Sequence, residues 1–181
     1  GYVPRVDGVA LPERHLGLVT ARESVVSQQP WQDFAATLER TLDIDRLLAL
    51  SHLQTLPQGE WPESLAPNAG EGLTLAMADD EAFNFYYPDN VALLTRAGVR
   101  IIRFSPLHDS QLPECQMVWL GGGYPELHAA ALAANTTMLA SLREAHQRGV
   151  AIYAECGGLM YLGSLLEDVD GVEHHMADII P

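Results

Sequence analysis

Two glycine-containing segments place residues that could do chemistry directly after short apolar runs. In the first, the run VAIYA (150–154) leads into Glu155-Cys156-Gly157-Gly158. A cysteine at a sharp turn between a strand and a helix exposes its sulfur, and the helix N-terminus behind it favours the thiolate. This is the logic of a serine nucleophile elbow with sulfur in place of oxygen, and it predicts Cys156 as a nucleophile. The spacing leaves a second interpretation open, a small and inert cysteine at a helix start.

The second segment, LGGGYPE (120–126), follows another apolar run. Its three consecutive glycines allow backbone N–H groups to face a ligand, where they could stabilise an oxyanion together with the N–H of Gly157. The alternative is a tight turn before a helix that Pro125 opens at its first turn. No Gly-Lys-Ser/Thr follows, so the chain contains no Walker A phosphate loop.

A third segment, EAFNFYYPDN (81–90), places four aromatic residues around Asn84 within five positions. It follows the apolar run LTLAMA (73–78), again at the end of a predicted strand. We favour a hydrophobic plug in a domain interface over direct contact with a substrate. Cys115 lies in a polar loop without activating neighbours, and we predict a structural role for it.

A cysteine nucleophile usually works with a histidine base, but none of the seven histidines is placed convincingly. His128 and His146 fall on a predicted helix, where we expect surface positions. His174 and His175 are adjacent, and in a strand their side chains would point to opposite faces and make poor joint metal ligands. The sequence therefore predicts no metal site, and we expect the base to lie outside this chain.

The elements that must position these segments alternate along the chain. Apolar runs predict strands over 73–78, 99–104, 117–120 and 150–154, and helical patterns cover 89–98, 126–148 and 157–166. This order predicts an α/β fold with a mostly parallel sheet and flanking helices, in which ligands bind at the carboxyl ends of strands. Upstream, apolar residues at three- and four-residue steps over 29–53 are typical of an amphipathic helix, with an interruption between Thr41 and Asp45.

Composition excludes several classes of function. The chain has 181 residues and a formal charge of −14, which disfavours nucleic acid and anionic membrane surfaces as partners. No run approaches ~18 uncharged apolar residues, so we predict no membrane span. The two cysteines favour free thiols in a reducing cytoplasm. The chain begins at Gly1 with sequence typical of a domain interior, and we expect a fragment truncated at both ends.

Several segments together resemble one family, the cobyrinic acid a,c-diamide synthases. The matching segments are LGGGYPELHAAALAAN (120–135), GVAIYAECGGLMYL (149–162), EAFNFYYPDN (81–90) and GYVPR…LPERHLGLVTARE (1–23). Cobyric acid synthase is a relative, and FNFYYPDN favours the diamide synthases. The resemblance implies a flavodoxin-like class I glutamine amidotransferase domain over 73–181, a linker over 56–72, and the helical tail of a P-loop synthetase domain over 1–55.

The resemblance also implies an activity. The synthetase part would use ATP and Mg²⁺ to activate the a and c carboxylates of a corrin substrate, cobyrinic or hydrogenobyrinic acid. The amidotransferase part would release ammonia from glutamine to amidate them. This chain itself would carry no cofactor.

The motif positions carry roles over to particular residues. Cys156 would be the nucleophile that forms a γ-glutamyl thioester, which water then hydrolyses. Oxyanion donors would come from Gly121, Gly122, Gly123 and Gly157, and substrate or interface contacts from Asn84, Tyr124, Glu126 and Glu155. The family's catalytic histidine lies beyond residue 181, so we expect this chain alone to be inactive or nearly so. Missing strands would leave an exposed sheet edge, which favours aggregation or a homodimer.

Two other classes of function stay open on the sequence. One is an elbow-cysteine hydrolase or redox protein, with which Glu155 beside Cys156 is compatible. The other is a non-catalytic interaction module. Labelling by a glutamine analogue would indicate the amidotransferase, whereas sensitivity to peroxide would indicate the elbow-cysteine hydrolase or redox protein.

Overall fold

The structure is a computed structural model that describes residues 1–6, 9, 13–14, 17–18, 28–51 and 68–180. The chain divides into two compact units, Gly1–Glu60 and Trp61–Pro181. Most of the linker predicted over 56–72 lies outside the described residues, and its described end, 68–72, forms a turn. Much of the opening segment, 1–23, also lies outside them.

The described residues of the first unit form two short strands and two helices. Strands β1 (Glu13–Arg14) and β2 (Gly17–Leu18) pair in antiparallel fashion, and helices α1 (Gln28–Thr41) and α2 (Ile44–Leu50) follow. The side chain of Asp43 accepts a hydrogen bond from the N–H of Arg46 and so caps α2. The interruption predicted in this helical stretch is confirmed.

The second unit alternates strands and helices as predicted. Its elements are β3 (Thr74–Ala78), α3 (Pro88–Arg96), β4 (Arg100–Phe104), β5 (Met117–Leu120), a 3₁₀ turn (Pro125–Leu127), α4 (Ala129–Ala134), α5 (Thr136–Gln147), β6 (Ala151–Ala154), α6 (Gly157–Leu162), β7 (Leu165–Glu167) and β8 (Glu173–His175). Within the described ranges, no helix combines the length and the apolar character that crossing a bilayer requires.

Four of these strands form one parallel sheet in the order β4-β3-β5-β6. Ala76 of β3 lies opposite Val118 of β5, which lies opposite Ile152 of β6. The predicted α/β fold with a mostly parallel sheet is confirmed, and the strand order is that of the flavodoxin-like class. The next strand in sequence, β4, lies on one side of β3, and the strand after it, β5, lies on the other. A crevice therefore forms between the carboxyl ends of β3 and β5, where ligands bind in such folds.

Helices pack against both faces of the sheet, although Met117 and Tyr153 stay exposed at 38% and 49% on the side of α3. One face packs against α4, α5 and α6 through a large cluster that includes Ala76, Val118, Leu120, Leu132, Leu142 and Tyr161. The other packs against α3 through a smaller cluster that includes Leu75, Met77, Trp119, Val91 and Leu94. The alternation of neighbouring residues between the two clusters follows from the two-residue period of a strand.

The helix predicted over 126–148 is wrong in its continuity, because a 3₁₀ turn, α4 and α5 replace it. Asn135 separates α4 from α5. Its side-chain oxygen accepts a hydrogen bond from the N–H of Met138, and its amide nitrogen donates to the carbonyl oxygens of Pro106 and Asp109, both at 2.8 Å. These distant contacts interrupt a stretch that is otherwise rich in helix-forming alanine.

The helix predicted over 157–166 is too long. It ends at Leu162, and Gly163 has an extended ψ of 177° that leads into β7. β7 and β8 pair in antiparallel fashion, with Leu166 opposite His174. Leu166 is buried in the larger cluster, so the hairpin contributes to the core.

Candidate active site

Cys156 lies on a strained turn between β6 and α6. Its φ is 51° and its ψ is −120°, the conformation of the first central residue of a type II′ turn, which glycine normally occupies. Holding a cysteine there costs about 1–3 kcal/mol, so the surrounding structure must impose it. The N–H of Glu155 donates to Leu120 O at 3.1 Å, and that of Gly158 donates to Gly121 O at 3.0 Å. Cys156 itself is exposed.

The turn can form because Gly157 and Gly158 carry no side chains. A Cβ added to Gly157 would lie 2.7 Å from the ring of Pro125. One added to Gly158 would lie 2.6 Å from the carbonyl carbon of Leu120 and closer still to its oxygen. Cβ atoms do not come so close to other heavy atoms, so glycine at both positions lets α6 begin directly against the end of β5.

The glycine segment (121–123) lies against the aromatic segment (82–87). The N–H groups of Asn84 and Phe85 donate to Gly122 O at 3.1 and 3.0 Å. The N–H of Gly121 donates to Tyr86 Oη at 2.9 Å. A Cβ on Gly121 would lie 2.6 Å from the Tyr86 ring, so only glycine allows this approach.

These contacts decide which backbone groups can face the sulfur. The N–H of Gly121 is committed to Tyr86, so the predicted oxyanion role depends on the other glycines. Gly122 forms an antiparallel bridge with Phe85, whereas no described group accepts a hydrogen bond from the N–H of Gly157. Gly122 borders Cys156, because a Cβ added to Gly122 would lie 3.5 Å from Cys156 Cβ.

A cleft of about 480 Å³ opens in front of Cys156. It is lined by Asn84, Phe85, Tyr86, Tyr87, Gly122, Glu155 and Cys156. The structure thus brings the predicted residues Asn84, Gly122 and Glu155 together with the cysteine. The volume of the cleft suits a small ligand.

The aromatic segment lines this cleft. Of its aromatic residues, only Phe83 is fully buried, and its ring packs against Tyr161 of α6 at a ring distance of 5.3 Å. Phe85 and Tyr87 are exposed at 44% and 73%. The interpretation as a hydrophobic plug therefore fits Phe83, whereas the next four residues form a wall of the cleft.

The side chains predicted to contact a substrate or an interface lie in or beside this wall. Asn84 donates from its amide to the carbonyl oxygens of Asp80 and Glu81, at 3.2 and 3.3 Å. Glu155 accepts a weak hydrogen bond from the indole N–H of Trp119, at 3.4 Å. Tyr124 packs edge-on against Phe85, whereas Glu126 lies on the 3₁₀ turn.

Two titratable groups near the sheet stay protonated at neutral pH. Burial raises the pKa of Tyr86, so its hydroxyl is neutral where it accepts the hydrogen bond from Gly121. Burial also raises the pKa of the Cys115 thiol. The structural role predicted for Cys115 is consistent with this shift, because the thiolate is the reactive form.

No described histidine lines the cleft. The surface position predicted for His146 is confirmed, but that for His128 is wrong, because its Nε2 atom is buried without a described partner. His174 and His175 do point apart in β8, with His174 bonded to Asp168 at 2.7 Å. Among the described side chains, no three histidine, cysteine or acidic groups come together in a way that could hold a metal ion.

The contacts that Tyr86 and Asp80 make in this arrangement were not predicted from the sequence. No local sequence pattern marks Tyr86, because only the folded chain brings its hydroxyl to the N–H of Gly121. Asp80 does show one, since an aspartate at the end of a strand commonly accepts hydrogen bonds from N–H groups two and three residues ahead.

A family model of the CobB/CobQ-like glutamine amidotransferase domain matches residues 74–181. The cobyrinate a,c-diamide synthase of Salmonella typhimurium is 75% identical over 181 residues, which are 100% of this chain and 39% of that protein. The protein of the same name from Listeria innocua is 42% identical over 180 residues, covering 99% and 39%. The chain thus spans about two fifths of the length of these relatives.

A solved structure of a putative peptidase E protein from Listeria monocytogenes also aligns, with a TM-score of 0.49 at 11% identity. The alignment covers 61% of this chain and 64% of that one. The family assignment depends on the sequence match, which covers more than half of the chain. This chain therefore belongs to the CobB/CobQ-like glutamine amidotransferase family.

Proposed function

We propose that this chain is the glutamine-hydrolysing part of an ATP-dependent ligase that amidates the a and c carboxylates of cobyrinic or hydrogenobyrinic acid. Its membership of the glutamine amidotransferase family supports the first half of the proposal. The 75% identity to a protein named cobyrinate a,c-diamide synthase supports the second. The observation that carries the chemistry is the exposed Cys156 on its strained turn, bordered by Gly122 and followed by Gly157 at the start of α6.

The reaction begins when the sulfur of Cys156 attacks the side-chain carboxamide carbon of glutamine. A carbon–sulfur bond forms, and the carbonyl electrons move to the oxygen, where backbone N–H groups of the glycine segment and of Gly157 stabilise the negative charge. When the carbonyl re-forms, the carbon–nitrogen bond breaks and ammonia leaves. A γ-glutamyl thioester remains, and water cleaves its carbon–sulfur bond to release glutamate and the thiol.

The thiol of Cys156 must lose its proton before it attacks, and that proton can pass to the leaving nitrogen; the attacking water must then lose a proton, which returns to the sulfur. We assign these transfers to a base outside the described residues, because no described histidine lines the cleft. ATP and Mg²⁺ would act in the activation of the corrin carboxylates. No step of this chain is assigned to them, because its described residues offer no metal-binding cluster and its sequence no Walker A motif.

The walls of the cleft suit an amino acid. Phe85, Tyr86 and Tyr87 offer apolar surface to the methylene groups of glutamine. Asn84 Oδ1 and the Glu155 carboxylate can accept hydrogen bonds from its ammonium group, since the amide nitrogen of Asn84 already donates to Asp80 and Glu81.

The test is labelling with 6-diazo-5-oxo-L-norleucine, a glutamine analogue that alkylates thiols, read by peptide mass mapping. This chain is compared with a version extended at its C-terminus to match the Salmonella relative. We expect selective labelling of Cys156 over Cys115, faster in the extended version and slowed by glutamine. A Cys156→Ser variant, which should show no labelling at this position, is the control.

Two outcomes would contradict the proposal. Equal, slow labelling of Cys115 and Cys156 in both versions would make Cys156 an ordinary thiol. Rapid oxidation of Cys156 by dilute peroxide, without protection by glutamine, would favour a redox protein instead.

A further inference from the structure

Asp80 is the one buried charged side chain among the described residues, with 5% of its surface exposed. It follows β3 at the carboxyl edge of the sheet. Its two oxygens accept four hydrogen bonds, from the N–H groups of Ala82 (2.9 Å), Phe83 (3.1 Å) and Leu107 (2.9 Å) and from Ser105 Oγ (2.8 Å). A buried carboxylate needs such a full set of donors, so these four groups are held in place by it.

The two oxygens act on two different loops. Oδ1 accepts from Ala82 and Phe83 and closes the turn that starts the aromatic segment. Oδ2 accepts from Ser105 and Leu107 and ties this turn to the loop after β4. The path of the aromatic segment is therefore fixed at its first residue by Asp80.

The aromatic segment in turn fixes the glycine segment. It bonds Gly122 O through two N–H groups and Gly121 N–H through Tyr86 Oη. A Cβ on Gly123 would lie 2.8 Å from the carbonyl carbon of Ala82, so the two segments are in direct contact here. Gly122, at the end of this series of contacts, borders Cys156.

We propose that Asp80 is a positioning residue for glutamine hydrolysis, which sets the place of the glycine segment beside Cys156 without touching the substrate. This inference rests on the proposed function. A displaced oxyanion donor stabilises the transition state less and leaves binding of the ground state nearly unchanged. The proposal therefore assigns Asp80 an effect on the maximal rate of thioester formation and not on substrate affinity.

The substrate for the test is an activated aryl ester of the γ-carboxyl of L-glutamate. Its phenolate leaves without a proton, so the assay reports the attack of Cys156 and the stabilisation of the oxyanion in this chain alone. The release of phenolate is measured against substrate concentration, with Cys156→Ser as the blank for spontaneous cyclisation. The reaction of Cys156 with iodoacetamide measures its accessibility independently.

The main variant is Asp80→Asn, which keeps the shape of the side chain. It replaces one carboxylate oxygen by an NH₂ group, which then faces the two donors that this oxygen had bound. We expect its maximal acylation rate to fall at least about tenfold, because loss of a whole oxyanion donor costs on the order of 100-fold or more. The half-saturating concentration and the iodoacetamide rate should stay within about twofold of wild type.

The matched control is Asp109→Asn. Asp109 is an exposed carboxylate that accepts a hydrogen bond from the N–H of Ser105 at 2.7 Å, but it has no bond to the aromatic segment. This variant should acylate at the wild-type rate. Ser105→Ala removes one of the four bonds of Asp80 and should lower the maximal rate by a smaller factor than Asp80→Asn.

A folded Asp80→Asn variant with a wild-type maximal rate would overturn the inference. If Asp80→Asn does not fold, Ser105→Ala decides, and its wild-type maximal rate would overturn the inference in the same way. A C-terminally extended version in which Cys156 is not acylated would instead refute the proposed function.

Discussion

Replacing Gly158 by alanine would test how α6 holds Cys156 against the sheet. The added Cβ would lie 2.6 Å from the carbonyl carbon of Leu120 and 2.7 Å from its Cβ, whereas real Cβ atoms keep at least about 3.0 Å. Leu120 is fully buried, and its carbonyl already accepts a hydrogen bond from Glu155. The strand cannot yield, so α6 must move away from it.

The cost follows from three contributions. Overpacking of this kind costs about 1–3 kcal/mol, and an overlap with rigid backbone lies at the upper end of that range. Moving α6 also breaks the hydrogen bond from the Gly158 N–H to Gly121 O, worth about 1 kcal/mol. The better helix propensity of alanine returns about 1 kcal/mol. The free energy of unfolding should therefore fall by about 3 kcal/mol, equivalent to roughly 12 °C in Tm for a domain of about 100 residues.

The assay is urea and thermal unfolding followed by circular dichroism, with Gly163→Ala as the control at the other end of α6. A Cβ on Gly163 would lie 3.2 Å from Met160 O, and its φ of −67° suits any residue, so this change should cost less than about 1 kcal/mol. If Gly158→Ala unfolds within about 0.5 kcal/mol of Gly163→Ala, the close packing of α6 on β5 is refuted.

Two further predictions concern buried and titrating groups. Tyr161 is fully buried and no described group bonds its hydroxyl, so Tyr161→Phe should raise the free energy of unfolding by about 1 kcal/mol in the same urea titration; a loss would show a bonded hydroxyl. The hydrogen bond from His174 lowers the pKa of Asp168 below its ordinary 3.8, so its ionised form stabilises the β7–β8 hairpin at higher pH. That contribution is lost as the pH falls through the lowered pKa. The NMR shift of the Val172 amide, which donates to Asp168, should therefore titrate below pH 3.8 and not at all in Asp168→Asn, and a midpoint at or above 3.8 would contradict the prediction.

Local patterns in the sequence were enough to predict the sheet and the turn at Cys156. Buried parallel strands appear as short apolar runs, and the ends of α3 and α5 follow from Gly98 and Gly149, which adopt positive φ. The Cys156-Gly157-Gly158 turn is equally local. Its close packing needs glycine, and glycine is visible in the sequence.

Contacts between distant residues could not be predicted in this way. Asn135 breaks a helix by bonding Pro106 and Asp109, more than 20 residues away in sequence. The Tyr86 hydroxyl accepts the hydrogen bond of the Gly121 N–H across 35 residues of sequence. Neither contact leaves a periodic or compositional pattern, because each depends on how the parallel sheet brings separate loops to one edge.

The backbone of Cys156 also bears on how this position evolves. Glycine adopts a φ of 51° and a ψ of −120° without cost, whereas cysteine loses about 1–3 kcal/mol of stability there. Cysteine and glycine codons differ by a single nucleotide, so a more stable protein is always one mutation away. Under the proposed function, selection for the thiol keeps cysteine at this turn, and gene copies released from that selection should drift to glycine.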